Sequence, residues 1–126
     1  MPLADSLNFN DKGLIPAIIF DAGDNQPLTL CYMDRAALEK TLETGLVHVF
    51  RRSRGRVMLK GETSGNTQGV VEILVDCDGN SLAIKVEQKV AACHAGYYTS
   101  YYRRYDKAAD TLVAQGELVF DPKKVY

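Results

Sequence analysis

The sequence contains no apolar run approaching the ~20 residues that a membrane-spanning helix requires, so no such span is expected. Its first residues, MPLADSLNFNDKG, lack the basic and apolar regions of a secretory signal, which makes the cytoplasm the expected compartment. Cysteine is scarce. The three present, Cys31, Cys77 and Cys93, are odd in number and too few for a disulfide framework. In a reducing compartment they read as buried thiols, metal ligands or nucleophiles. An excess of either charge is also missing: 15 basic residues face 16 acidic ones, for a net charge of -1. A dedicated nucleic-acid binder is usually strongly basic, so a nucleic-acid partner is not expected. Four prolines and ten glycines exclude a collagen-like or low-complexity polymer. With no internal repeat and no Pro/Gly/Ser linker, residues 1–126 read as a single domain.

What is present begins with two short apolar runs, Leu14–Ala22 and Leu28–Met33. The turn-forming stretch Gly23-Asp24-Asn25-Gln26-Pro27 lies between them and predicts a hairpin. Asp34 then predicts the N-cap of the one expected helix, Arg35–Thr44, because its carboxylate can accept a bond from an orphan backbone N–H. Met33 and Leu38 occupy the positions of a hydrophobic staple, Leu38 and Leu42 mark the expected buried stripe, and Gly45 ends the helix. The period then falls to two. Strands are expected over Val47–Arg51 and Val57–Lys60, around a basic turn, and over Val70–Val75 and Leu82–Val86, around Cys77-Asp78-Gly79-Asn80. Asp106–Ala114 reads as a loop or short helix, and Glu117–Phe120 as a last strand. One helix among hairpins gives an α+β class with a mainly antiparallel sheet.

Four clusters carry polar chemistry. In Asp76-Cys77-Asp78-Gly79-Asn80 two carboxylates and a thiol share a tight turn, suited to a hard cation such as Mg²⁺ through oxygen and to a softer one through sulfur. The same residues can equally form an Asx-type turn that bonds only backbone amides. In Ala92-Cys93-His94-Ala95-Gly96, Cys93 and His94 are adjacent soft ligands, and Cys77 lies on the far side of one predicted strand. The spacing is not that of a standard zinc motif, and a buried inert Cys93 remains open. Arg51-Arg52-Ser53-Arg54-Gly55-Arg56, leading into Lys60-Gly61-Glu62-Thr63-Ser64-Gly65-Asn66, offers guanidinium forks and free backbone N–H groups to a phosphate. A solvated basic hairpin is the plain alternative. Finally, five of the seven tyrosines fall within Tyr97–Tyr105. Clustered aromatics suit an oligomer interface or stacked bases, and the acidic balance favours the interface.

Taken together, these clusters resemble phosphoribosyl-AMP cyclohydrolase. The likeness runs from Lys12-Gly13-Leu14-Ile15-Pro16-Ala17 through Tyr32-Met33, Leu38–Gly45, Ser53-Arg54 and Lys60-Gly61-Glu62-Thr63-Ser64-Gly65. It continues in Asp76-Cys77-Asp78, Val86-Glu87-Gln88, Ala92-Cys93-His94 and Val119-Phe120-Asp121-Pro122. The resemblance implies a cytoplasmic homodimer of histidine biosynthesis that opens the adenine ring of 1-(5-phosphoribosyl)-AMP at N1–C6. It implies two active sites between subunits, with zinc held by three cysteines drawn from both chains and Mg²⁺ held by aspartates. By position, Cys77 and Cys93 match zinc ligands, Asp76 and Asp78 match magnesium ligands, and His94 is the candidate acid/base. Arg52, Arg54, Lys60, Glu62, Thr63, Ser64 and Gly65 match the phosphate-binding part. Three places depart from the pattern: Ser100 stands where the third zinc cysteine falls, Asn80 replaces the third aspartate, and Met58 and Leu59 stand in the stretch before the Lys60–Gly65 loop where an aromatic residue is usual. These departures keep two alternatives open, a diverged paralogue hydrolysing another heterocyclic C–N bond and a catalytically silent nucleotide-binding protein.

Overall fold

The computed structural model describes residues 2–61, 65–89, 96–116 and 118–119. Its elements run α1 (Pro2–Asp5), β1 (Ile15–Asp21), β2 (Pro27–Met33), α2 (Arg35–Thr44), β3 (His48–Arg51), β4 (Arg56–Leu59), β5 (Gln68–Val75), β6 (Leu82–Gln88), β7 (Arg103–Asp106) and β8 (Thr111–Ala114). The α+β expectation holds, with two amendments. A second, one-turn helix, α1, lies at the start of the chain. The main sheet, in the order β2-β1-β6-β5, is also not purely antiparallel, because β1 and β6 pair in parallel with Ala17 opposite Leu82 and Asp21 opposite Val86. The cause is burial. Ile15, Ala17 and Ile19 of β1 and Leu82, Ile84 and Val86 of β6 are the most apolar alternating sets in the chain, and all are buried. Two such strands bury most when adjacent at the sheet centre, so each hairpin turns its partner, β2 or β5, to the outside.

α2 matches its expected bounds. The Asp34 carboxylate accepts from the Ala37 N–H at 2.7 Å, and Gly45 closes the helix in the left-handed region at φ 75°. The buried stripe differs from expectation: Ala37, Leu38 and Thr41 face the core, while Leu42 is exposed. Thr41 is tolerated inside because its hydroxyl donates to the Ala37 carbonyl at 2.8 Å and accepts from the His48 N–H at 2.9 Å. α2, Val47 and Val49 cover one face of the sheet, and Ala4 and Leu7 join the same core. Among the described residues nothing covers the other face. Ile18 and Leu30, paired across β1 and β2, are exposed there, as is Leu74 of β5.

β3 and β4 form a separate two-stranded hairpin beside β2, with the basic turn at its tip. Asp106–Ala114, expected to be a loop or short helix, is instead the second half of a hairpin in which β7 and β8 pair from Arg103–Ala114 to Asp106–Thr111. The alternation Thr111-Leu112-Val113-Ala114 lacks the apolar contrast that marks a half-buried strand, which is why its period was not readable. Of the expected last strand, Leu118 and Val119 are described: Leu118 bridges Tyr97, and the Val119 N–H donates to the Gly96 carbonyl at 2.7 Å. No helix among the described residues is long and apolar enough to cross a membrane.

Candidate active site

The acidic turn follows β5 and precedes β6. The Asp76 carboxylate caps it: Oδ1 accepts from the Asn80 N–H at 2.7 Å and the Ser81 N–H at 3.3 Å, and Oδ2 from the Ser81 hydroxyl at 3.1 Å. The Asn80 N–H, followed by Ser81, holds this carboxyl below its ordinary value against the smaller opposing effect of burial. The Asx-turn reading is thus realised at Asp76, although a carboxylate has about four lone-pair directions and these bonds leave room for a cation. Asn8 anchors the turn from α1's side, its amide donating to the Asp78 carbonyl at 2.7 Å. Cys77 is exposed between the two aspartates. One exposed sulfur and several hard oxygens fit half of a metal site.

The structure does not bring Ser100, which the resemblance groups with Cys77, to this turn. Ser100 is fixed at the opposite end of the sheet, where its N–H donates to the Leu28 carbonyl at 2.6 Å. The preceding Thr99 hydroxyl donates to the Pro27 carbonyl at 2.6 Å, and the Tyr98 hydroxyl donates to the Asp21 carboxylate. Burial, and then the bond to Asp21, pushes the Tyr98 hydroxyl up to about 12. β6 separates the two ends, seven residues that extend over about 20 Å. Among the described residues no three His, Cys, Asp or Glu side chains gather closely enough to hold a metal. Cys93 and His94 lie outside the described residues, as do Glu62, Thr63 and Ser64.

A polar relay that the motifs did not single out supports the Ser100 segment. Gln68, opposite Gln88 in the β5–β6 ladder, donates through Nε2 to Gln88 Oε1 at 2.7 Å, and Gln88 Nε2 donates to the Tyr98 carbonyl at 2.7 Å. Gln68 is fully buried, and its own Oε1 has no hydrogen-bond partner among the described residues. Two glutamines 20 residues apart gave no local signal.

The basic hairpin stands beside the edge strand β2, and a cleft of about 490 Å³ opens between them. Arg51, Arg52, Ser53 and Lys60 line it together with Cys31 and Tyr32. The Arg52 guanidinium lies 4.2 Å from the centre of the Tyr32 ring, a cation–π contact. Arg54 does not line the cleft; its N–H instead closes the tip of the hairpin onto the Arg51 carbonyl at 3.0 Å. Of the expected phosphate residues, Arg52 and Lys60 are brought together and Arg54 is left outside. Gly61 and Gly65, beyond the hairpin, are held together. The Gly65 N–H donates to the Gly61 carbonyl at 2.7 Å, and a Cβ at Gly61, where φ is 89°, would fall 2.5 Å from the Asn66 backbone. Only glycine fits there.

The stretch that holds the basic cleft, the glycine-bounded loop and the acidic turn is matched by a known family. A profile of the phosphoribosyl-AMP cyclohydrolase family matches residues 29–102, which span both ends of the sheet and the cleft. The chain belongs to the phosphoribosyl-AMP cyclohydrolase family. It is 51% identical to the phosphoribosyl-AMP cyclohydrolase of Pelotomaculum thermopropionicum over 97% of this chain and 94% of that one. The corresponding protein of Salinibacter ruber is 46% identical over 99% and 97%. The histidine biosynthesis bifunctional protein HisIE of Thermoanaerobacter pseudethanolicus is 48% identical over 95% of this chain, which covers 55% of that longer protein.

Proposed function

We propose that this protein hydrolyses the N1–C6 bond of 1-(5-phosphoribosyl)-AMP, the ring-opening step its relatives are named for. The observation that carries the reading is the end-to-end likeness to the Pelotomaculum enzyme, which takes in the cleft, the acidic turn and the segment bearing Ser100. The substrate's N1 substituent makes C6 electrophilic. Water adds its oxygen to C6, the C6–N1 bond breaks, and N1 departs with a proton that His94 delivers. The oxygen stays on C6 as the carbonyl of a carboxamide. Cys77 and Cys93 would hold zinc, and Asp76 and Asp78, with Asn80, magnesium. When bound, these ions supply Lewis acidity toward water and positive charge beside the nucleotide. Arg52 and Lys60, with the loop from Gly61 to Gly65, hold the phosphates.

The functional unit is a homodimer in which each active site takes Cys77 from one protomer and the Cys93–Ser100 region from the other. Three observations support this. Cys77 and Ser100 lie at opposite ends of one sheet. The β7–β8 hairpin exposes Tyr105 and Leu112, each 55% accessible, and two-stranded hairpins are marginal alone. The open sheet face presents Ile18, Leu30 and Leu74, and large exposed apolar patches mark interaction surfaces.

The test is turnover of phosphoribosyl-AMP by purified protein supplied with defined zinc and magnesium, followed by the absorbance of the opened product. Turnover that disappears on chelation is expected. Nucleotide binding with no turnover under any metal condition would replace this reading with that of a silent binding protein.

A further inference from the structure

The acidic turn between β5 and β6 is held from two sides, and only one of them belongs to it. From within, the Asp76 carboxylate is already engaged: Oδ1 accepts two backbone N–H groups and Oδ2 one hydroxyl. Of its roughly four lone-pair directions one is left, on Oδ2. A cation that takes this direction must find the oxygen already in place, because Asp76 cannot swing toward it without giving up the bonds that close the turn. Asp78 is the converse case. Its side chain is exposed, so its position follows from where its own backbone is held.

That backbone is held from outside, by a residue 70 positions earlier. The Asn8 N–H donates to the Gly79 carbonyl at 2.8 Å, and Asn8 Nδ2 donates to the Asp78 carbonyl at 2.7 Å. A carbonyl only accepts, so the amide must present its nitrogen there. The approach is close: a Cβ on Gly79 would fall 2.9 Å from the Ser6 carbonyl oxygen. Asn8 is itself firmly founded. Ala4 and Leu7, just before it, are buried in the main core, which anchors the segment better than the exposed Asp5–Arg35 ion pair does. Both Asn8 bonds end on main-chain oxygens and occupy no carboxylate or thiol atom. They persist when those side chains take a ligand, whereas the Asp76 bonds share their oxygens with it.

We propose that Asn8 is a positioning residue of this turn, fixing the Asp78–Gly79 backbone so that the Asp76 and Asp78 carboxylates are set for a divalent cation before it arrives. This role rests on the functional reading above, which makes the two carboxylates cation ligands. Asn8 lies outside residues 29–102, the stretch that the family profile matches, and belongs to none of the motifs.

Amide hydrogen exchange and cation titration of the intact protein test the assignment, with Mn²⁺ as the probe because it shares magnesium's preference for oxygen ligands. In metal-free protein, Asn8→Ala should speed exchange at the Asn80 and Ser81 amides and leave the β1 amides protected. It should also weaken Mn²⁺ binding about fivefold, since losing one neutral hydrogen bond lowers the fraction of ordered turns by that order. The Mg²⁺ needed for half-maximal turnover of phosphoribosyl-AMP should rise by the same factor. Arg35→Gln, which releases α1 from α2 and leaves Asn8 in place, should change neither exchange at the turn nor Mn²⁺ affinity. An equal loss in Arg35→Gln overturns the proposal, because the effect would then belong to the N-terminal segment as a whole. The two readings fail separately. Mn²⁺ binding that Asp78→Ala abolishes and Asn8→Ala leaves at wild-type affinity overturns the positioning role alone. Mn²⁺ binding that survives Asp78→Ala unchanged takes the cation away from this turn, and overturns the metal assignment together with the role of Asn8.

Discussion

Ser100 holds a hydroxyl where the family resemblance places a thiolate, on a backbone pinned by the Leu28 carbonyl. Zinc derives much of its affinity from deprotonated sulfur and nitrogen ligands, so a neutral hydroxyl weakens the site. Restoring sulfur with Ser100→Cys should therefore raise the zinc retained after dialysis against a mild chelator, and Cys77→Ser should lower it. Equal zinc content in all three proteins would mean that neither position is a ligand. A second prediction concerns Gln88, whose orientation is dictated by its neighbours. The Tyr98 carbonyl can only accept, so Gln88 must present Nε2 to it and Oε1 to Gln68. Gln88→Ala leaves a buried donor and a carbonyl without partners, and should cost about 2 kcal/mol in urea unfolding. Gln88→Glu, which can still accept from Gln68 but cannot donate to Tyr98, should fall between. An unchanged urea midpoint for both would show that water replaces the relay. The sequence displayed Gln88 inside a motif, but its partner is set by sheet register and was not legible.

The elements most legible in the sequence were those whose signals are local. α2 is bounded by a cap at Asp34 and a left-handed glycine, both within one turn of its ends. The β1–β2 and β5–β6 hairpins follow from their turns. The parallel pairing of β1 with β6 depends on residues more than 60 positions apart, and Leu42 faces outward because Thr41 replaces it inside through two hydrogen bonds. The segment carrying Ser100 was equally hard to place, since Tyr98 is fixed by Asp21, 77 residues away. That contact has a pH signature. The Tyr98 hydroxyl, above all, holds the Asp21 carboxyl below its ordinary 3.8, so this contribution is present above 3.8 and lost as pH falls through the lowered value. Tyr98 is raised from 10.0 to about 12, so its contribution is present below 10.0 and lost as pH rises toward about 12. Tyr98→Phe should therefore be less stable than wild type across the interval between 3.8 and 10.0, with the difference narrowing at both extremes. Denaturant midpoints measured against pH would check it, and a difference constant with pH would assign the loss to packing instead.

For the whole molecule, the question is how one chain uses donors held at opposite ends of a rigid sheet. The central strands are buried, hydrogen-bonded on both sides and unable to fold back, so an intrachain site linking Cys77 to Ser100 would require the sheet to come apart. In the proposed homodimer a second protomer would remove that difficulty by placing its Ser100 end against the first protomer's acidic turn. Two-fold symmetry makes the contact reciprocal and generates two equal sites. Mixing inactive variants tests this arrangement. Cys77→Ser and Cys93→Ser homodimers should each be inactive on phosphoribosyl-AMP, since every site in them lacks one thiol. When the two are unfolded together and refolded as a mixture, about half the dimers formed by random pairing of a C2 pair are mixed. In each mixed dimer one site collects both substitutions and the other collects neither. The mixture should thus recover about a quarter of wild-type activity, a figure that follows from the symmetry of the pair. If both thiols served a site within one chain, no pairing could reunite them, and the mixture would stay as inactive as its parents.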